Sequence, residues 1–160
     1  MFLLVGGDSE IGAATHRAMK ADGKPIVATT RRPERVASDR PIFDLSARLV
    51  SWNPPPGTSS ACVCAAIARP VACAADPEVS WYVNVTQTIA LVEKLLVLGV
   101  NVLFLSSNRV LDGREPHVRA AAQHSPVGEY GRQKAHTEAA LSRFMVRGAP
   151  VGILRLAKVK

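Results

Sequence analysis

The sequence predicts an α/β fold, in which helices cover a parallel sheet. Apolar segments alternate with longer amphipathic segments along the 160 residues. The first apolar run ends at a glycine pair, Gly6 and Gly7, and a helical pattern follows at once. No internal repeat or low-complexity tract interrupts the alternation. The length fits a single domain that buries roughly 70% of its unfolded surface.

Six apolar segments predict six strands. They are MFLLVG, KPIVATT, RPIFDL, ACVCAA, NVLFLSS and PVGILRLA, in chain order. Right-handed crossovers between them give the doubly wound parallel sheet of a Rossmann fold. Ligands of such a sheet bind beyond the carboxyl ends of its strands, so the residues that follow each strand are the candidates for a site.

Three helices fill the longer intervals. SEIGAATHRAMKADG has Asp8 or Ser9 near its N-cap and Gly23 as its stop. A second helix covers 76–98 and a third covers about 129–147. The proline-rich stretch SWNPPPGTSS is a loop, which leaves room for only a short helical turn after the third strand.

The formal net charge of +7 is compatible with nucleic acid, a membrane surface or an anionic small molecule as partner. Basic residues are scattered except in TRRPER, aromatic residues make up only 5%, and no nucleic-acid-binding motif is present. A phosphorylated ligand is therefore favoured over nucleic acid. No apolar run is long enough for a bilayer and no export signal is evident, which predicts a cytoplasmic protein without a membrane partner.

The chain has three cysteines, Cys62, Cys64 and Cys73. An odd number without an export signal argues against a disulfide framework. Cys62 and Cys64 point to the same side of a predicted strand, and no acidic residue or histidine follows at metal-binding spacing. Small buried hydrophobic residues are favoured over metal ligands, and no metal site is predicted.

The opening turn has the spacing Gly6-x-x-Ser9-x-x-Gly12. The first glycine permits a sharp turn, and the last allows close packing of helix on sheet. The backbone amides between them, including those of Glu10 and Ile11, lie at a helix N-terminus that favours phosphate. A purely structural turn between strand and helix explains this motif alone equally well.

The end of the second predicted strand carries Thr30, Arg31 and Arg32. Folds that prefer NAD place an acidic residue here to bind the ribose hydroxyls. Two guanidinium groups instead suit a 2′-phosphate, which predicts NADP(H) in preference to NAD(H). The alternative interpretation is a solvated basic turn.

Tyr130 and Lys134 are four residues apart and share one face of the third helix. An adjacent ammonium group would lower the pKa of the phenol and suit it to proton transfer. Ser106 and Ser107 end the fifth predicted strand, where a hydroxyl can bind a substrate carbonyl oxygen. The set of Ser, Tyr and Lys is more specific than any member alone.

The segments GGDSEIG, FDL, CAA, LSSNRVLDG, SPVGEYGRQK and ILRLAKV, together with Asn84, run in order through the chain. In these the sequence resembles the cofactor-binding part of extended short-chain dehydrogenases/reductases. It is most similar to the branch of dTDP-4-dehydrorhamnose reductases and nucleotide-sugar epimerases.

The resemblance implies that Tyr130 is the catalytic acid and that Lys134 lowers its pKa and binds the nicotinamide ribose. Ser107 would polarise the substrate carbonyl, with Ser106 as the alternative. The adenine and the rest of the cofactor cleft would be lined by Asp44, Leu45, Ala65 and Ala66. The implied reaction is hydride transfer from NADPH to the C4 keto group of a nucleotide-linked sugar.

The chain departs from that pattern at Ser9, which replaces the middle glycine and is expected to weaken the binding of the pyrophosphate. The predicted organisation is one NAD(P)-binding domain over 1–160, with the C-terminal substrate-binding region absent or truncated. A non-catalytic NADP-binding sensor or scaffold is the alternative function. The resemblance also allows a homodimer formed through helices 81–98 and 129–147.

Overall fold

A computed structural model describes residues 1–47 and 49–157. Its centre is one five-stranded sheet in the order β2-β1-β3-β4-β5, with every pair of neighbours parallel. The strands are β1 (Phe2–Val5), β2 (Ile26–Ala28), β3 (Ser60–Val63), β4 (Asn101–Ser107) and β5 (Val151–Leu156). The predicted doubly wound Rossmann class is confirmed, with five strands instead of six.

Five α-helices lie in three of the four connections between strands, and in the described residues none lies between β2 and β3. They are α1 (Glu10–Ala21), α2 (Pro70–Ala75), α3 (Pro77–Trp81), α4 (Thr88–Val97) and α5 (Glu129–Val146). A π-helical segment, Tyr82–Gln87, joins α3 to α4, so the predicted helix over 76–98 consists of three segments. None of the described helices is long and apolar enough to cross a membrane.

The predicted third strand, RPIFDL, is wrong. Ile42 forms one isolated parallel bridge with Thr30, and no ladder develops from it. Pro41 lacks an N–H group to donate, and Ile42 is half exposed. The residues that follow turn inward instead, and the large core includes Phe43, Leu45, Leu49 and Trp52. The segment 43–52, of which the structure describes all residues except 48, covers the sheet with these side chains where a crossover helix would otherwise pack.

The two faces of the sheet are covered differently. The larger core lies between the sheet, the segment 43–52, α4 and α5, with Phe104 fully buried in it. The smaller core lies on the face that α1 covers and contains Leu4, Ile26, Ala28 and Cys62. Cys62 and Cys64 do share one side of β3, with their Sγ atoms 3.6 Å apart, and all three cysteines are free thiols. Residues 158–160, which include the last two residues of the ILRLAKV motif, lie outside the described part.

Candidate functional site

Two clefts lie side by side at the carboxyl edge of the sheet, and Ser9 and Ala66 line both of them. The first, of about 380 Å³, is bounded by the ends of β1 and β2 and by the segment 43–52. The second, of about 340 Å³, is bounded by the end of β4 and the start of α5. The shared wall falls between β1 and β3, where the order of the strands reverses and ligands of this fold bind.

The glycines of the opening turn allow close packing at this wall. Gly6 has a φ of +97°, and a Cβ there would lie 2.6 Å from the backbone nitrogen of Ala65. A Cβ on Gly12 would overlap the carbonyl oxygen of Gly6. Gly12 is therefore buried between the helix and the turn, where it brings the start of α1 against the end of β1.

Ser9 is the N-cap of α1. Its hydroxyl donates to the carbonyl oxygen of Gly6 (2.8 Å) and accepts from the backbone N–H of Gly12 (3.0 Å). Both bonds stay within the turn, so Ser9 replaces a glycine while satisfying the helix end. The N–H groups of Glu10 and Ile11 have no acceptor among the described residues. Two free donors between two adjoining clefts fit the pyrophosphate of a dinucleotide.

Predicted residues for the adenosine half of a cofactor line the first cleft, with one exception. Gly6, Arg31, Arg32, Asp44, Leu45 and Ala65 are on its surface. Thr30 is buried, and its hydroxyl donates to the carboxylate of Asp8 (2.6 Å) and accepts from the N–H of Arg32 (3.1 Å). Thr30 thus lies beneath the cleft surface, where its hydroxyl holds the carboxylate of Asp8 and the backbone of Arg32 in place.

The three predicted catalytic residues line the second cleft, together with Glu10 and Ile11. The hydroxyl of Ser107 accepts a hydrogen bond from the backbone N–H of Arg109 (3.2 Å). Ser106 also reaches this cleft but is 4% exposed, whereas Ser107 is only partly buried. The structure therefore favours Ser107 over Ser106 as the accessible hydroxyl.

Lys134 is 3% exposed. Its Nζ donates to the carbonyl oxygen of Leu105 (2.8 Å) and lies 4.3 Å from the centroid of the Phe104 ring. The centroid of the Tyr130 ring is farther away, at 5.9 Å. Burial lowers the pKa of Lys134 to about 8, because the charged form is poorly solvated.

The pKa of Tyr130 is raised, chiefly by burial and then by the nearby thiol of Cys73. The charge of Arg109 acts in the opposite direction. Lys134 is not among the groups that shift this pKa, so the lowering of the Tyr130 pKa by Lys134 stays a prediction. The ammonium group is directed at the end of β4, and Arg109 is the cation that lowers the pKa of Tyr130.

A buried hydrogen-bond network ties the floor of the clefts to α5. The Asn84 side chain accepts from the N–H of Ile67 (2.8 Å) and donates to the Gln133 side chain (2.7 Å). The Thr137 hydroxyl donates to the backbone carbonyl oxygen of Asn84 (3.0 Å). A π-helical segment changes the pairing of backbone carbonyl groups within a helix. The carbonyl oxygen of Asn84 lies in this segment, and Thr137 of α5 supplies a hydrogen bond to it.

Sequence reasoning did not identify Asp8 and Arg109 as site residues, yet Asp8 lines the first cleft and Arg109 the second. A signal for Asp8 was available. It lies in the turn after β1, and adjacent parallel strands bring that turn next to the end of β2.

A Rossmann sheet with a glycine turn, a serine after a central strand and a Tyr-x-x-x-Lys helix defines the class of short-chain dehydrogenases/reductases, as the sequence predicted. The chain belongs to the family described as the RmlD substrate binding domain, whose sequence model matches residues 1–159. No curated protein shows significant similarity to the chain.

Solved structures share this fold. UDP-glucose 4-epimerase from Brucella ovis in complex with NAD is 25% identical, with a TM-score of 0.83 over 96% of this chain and 50% of that one. A short-chain dehydrogenase/reductase superfamily protein from Agrobacterium tumefaciens with bound NAD is 24% identical, with a TM-score of 0.81 over 97% and 48%. MoeE5 in complex with UDP-glucose and NAD is 24% identical, with a TM-score of 0.80 over 95% and 52%. The chain thus spans about half the length of these structures.

Proposed function

We propose that the chain is the cofactor-binding domain of an NADP(H)-dependent oxidoreductase, of reductase or epimerase type, that acts on a nucleotide-activated sugar. The observation that carries the proposal is the convergence of Ser107, Tyr130 and Lys134 on one cleft. That cleft shares a wall with a second one, which is lined by Arg31 and Arg32. The pair of clefts suits the two halves of a dinucleotide.

The residues of the second cleft account for the proton and the orientation of the substrate. When bound, the reduced nicotinamide supplies a hydride to the carbonyl carbon of the substrate. The hydroxyls of Ser107 and Tyr130 donate hydrogen bonds to the carbonyl oxygen, and Tyr130 transfers its proton there as the alcohol forms. A raised pKa keeps Tyr130 protonated, as an acid in the reducing direction requires.

Arg31 and Arg32 support NADP(H) as the preferred cofactor. Both are exposed on the first cleft, and neither forms an ion pair with a carboxylate of the described residues. A charge-assisted bond to a 2′-phosphate contributes roughly 1.5–3 kcal/mol. The similar structures hold NAD, so the test below uses both cofactors.

The nucleotide sugar is proposed from the family and from the ligand of one similar structure, UDP-glucose in MoeE5. We assign residues 1–160 to the cofactor-binding domain. We also propose a homodimer formed through the helical segments 81–98 and 129–147. Trp81, which packs on His136 with ring centroids 4.9 Å apart, lies on the exposed surface of those helices.

The first test is a titration of the chain with NADPH and with NADH, followed by the variant Tyr130→Phe. We expect Tyr130→Phe to abolish turnover of a nucleotide 4-keto sugar while the Kd for NADPH changes less than about twofold, because the variant loses only the transferable proton. Tyr82→Phe is the matched control, since Tyr82 is the other tyrosine and lies outside both clefts. Binding of neither cofactor, or full turnover by Tyr130→Phe, would refute the proposal.

Ser9, which replaces the middle glycine of the opening turn, favours a second candidate, a non-catalytic dinucleotide-binding module that senses redox state or holds a partner. Tight binding of NADPH with no turnover by the wild-type chain, supplied with its nucleotide-sugar substrate, would support this candidate over the first.

A further inference from the structure

Asp8 is the one acidic residue of the opening turn that faces the first cleft, and its carboxylate is heavily bonded. It accepts from the Thr30 hydroxyl (2.6 Å) and from the backbone N–H of Arg31 (3.3 Å). It also accepts from the guanidinium groups of Arg40 (2.8 Å) and Arg35 (3.4 Å). Burial raises the pKa of Asp8, but these hydrogen bonds and charges outweigh it and lower the pKa below its ordinary value. Asp8 is therefore charged at neutral pH.

These bonds place a carboxylate at the carboxyl end of β2. Thr30 and Arg31 are the residues that follow this strand, and Asp8 is bonded to both. In this fold the end of the second strand faces the 2′ position of the adenosine ribose. The acid that usually comes from the strand is absent here, and the neighbouring turn supplies one instead.

Asp8 also divides the arginines around the cleft into two pairs. Arg35 and Arg40 are bound to Asp8, whereas Arg31 and Arg32 line the cleft without a described carboxylate partner. Asp44 is the other carboxylate that lines the cleft, and Oδ1 of Asp44 is bonded to the N–H and hydroxyl of Ser46. The part of the first cleft next to the end of β2 thus presents two available cations, Arg31 and Arg32, and one anion, Asp8, that is fixed by its bonds.

We propose that Asp8 determines the balance between the two cofactors, by opposing the 2′-phosphate of NADP(H) and by holding the guanidinium groups of Arg35 and Arg40 away from it. Arg31 and Arg32 attract that phosphate, so the cleft accepts both cofactors. This inference rests on the proposed function, because it requires a dinucleotide in the cleft. It assigns to the turn after β1 a determinant of cofactor preference that the residues at the end of β2 do not supply.

The test is Asp8→Asn, which removes the charge and keeps most of the shape. We expect the ratio of the Kd for NADH to the Kd for NADPH to rise about tenfold or more, since the anion that opposes the phosphate is lost and Arg35 and Arg40 are freed. Asp39→Asn is the matched control. It removes the same charge from a carboxylate that pairs with Lys20 on α1 and lines neither cleft.

Two further measurements keep the outcome interpretable. Asp8→Glu keeps the charge, so its ratio should stay near the wild-type value even if Asp8→Asn fails to fold. The second measurement compares the Kd for adenosine 2′,5′-bisphosphate with the Kd for 5′-AMP. These ligands differ only in the 2′-phosphate and need no nicotinamide subsite, so Asp8→Asn should strengthen the preference for the bisphosphate. An unchanged ratio in Asp8→Asn, or an equal change in Asp39→Asn, would overturn the inference while leaving the proposed function intact. Binding of neither cofactor to the wild type would refute the proposed function itself.

Discussion

Lys134 is a buried cation held at the end of a central strand. In the described part of the chain its Nζ has one hydrogen-bond acceptor, the carbonyl oxygen of Leu105, and an aromatic face beside it. These contacts offset only part of the cost of burying an ammonium group, which is why its pKa falls to about 8 from 10.5. A lysine that titrates near neutral pH makes the stability of the fold depend on pH.

We expect the wild-type chain to gain stability relative to Lys134→Met as the pH rises above 8. Above that value the folded chain releases the proton of Lys134, whereas the unfolded chain retains it up to 10.5. The unfolded state then binds more protons, so the free energy of unfolding increases with pH, by roughly 1 kcal/mol at pH 9.

Urea denaturation of both chains from pH 7 to pH 9 measures this difference. Other groups that titrate in this range are present in both chains, so their effects cancel in the comparison. Lys24→Met, at an exposed position, is the control and should show no such trend. A difference that is constant with pH would show that burial does not lower the pKa of Lys134.

At the same scale, the sequence predicted which residues meet but not how their bonds are arranged. The motif spacing placed Ser107, Tyr130 and Lys134 together, because parallel strands end at one edge of the sheet. It named Asp8 or Ser9 as the N-cap of α1 without deciding between them, and it did not reveal that Asp8 reaches the end of β2. The contact between Asp8 and Thr30 depends on side-chain rotamers and joins residues 22 positions apart.

The element before α5 is a long loop, residues 111–128, that is fixed to the domain by one buried acid. Glu138 of α5 accepts two hydrogen bonds from Nε and Nη2 of Arg155 on β5, the shorter being 2.7 Å, and contacts His124 at 2.9 Å. Arg155 also donates to the carbonyl oxygen of Ala120 (2.9 Å). The cluster therefore holds the loop against the helix that carries Tyr130.

We expect Glu138→Gln to lower the free energy of unfolding by about 3 kcal/mol at pH 7, because Arg155 loses its buried counter-charge. Burial raises the pKa of Glu138, but the hydrogen bonds from Arg155 and His124 outweigh it and lower the pKa overall. The contribution of Glu138 is therefore present above pH 4.5 and lost as the pH falls through its folded pKa.

Denaturation of wild type and Glu138→Gln at pH 7 and at acidic pH provides the test. The gap between the two chains should shrink as the pH is lowered. Glu115→Gln is the control, since Glu115 is exposed on the same loop. Equal stability at pH 7 would mean that the cluster does not hold the loop.

Elements with strong periodicity were predictable and those with local exceptions were not. The periodic apolar pattern gave α5 to within one residue of its end and located every strand of the sheet. RPIFDL had a strand-like composition, but Pro41 has no N–H group to donate, and only the single bridge between Thr30 and Ile42 forms. The π-helical segment has no signature in an apolar helical pattern, since its residues remain helical and buried.

The whole molecule presents two adjoining clefts on a single domain, which favours one long ligand that bridges them over two short ones. A ligand that binds the folded chain alone stabilises it by RT ln(1 + [L]/Kd). We expect NADPH at a hundred times its Kd to add about 2.7 kcal/mol and to raise Tm by roughly 5–10 °C.

Thermal unfolding monitored by circular dichroism measures this shift. Adenosine at the same concentration lacks the pyrophosphate, the 2′-phosphate and the nicotinamide, and it should leave Tm nearly unchanged. No shift with saturating NADPH would argue against a dinucleotide site on this domain.

The segment 43–52 contributes side chains to the core on one side and to the first cleft on the other. Phe43 and Trp52 pack their rings 4.3 Å apart in the core, while Asp44 and Ser46 form a wall of the first cleft. Local opening of this segment would remove the wall and uncover the core together. A dinucleotide held against that wall should therefore slow proteolytic cleavage within the segment, so a limited digest would report cofactor occupancy directly.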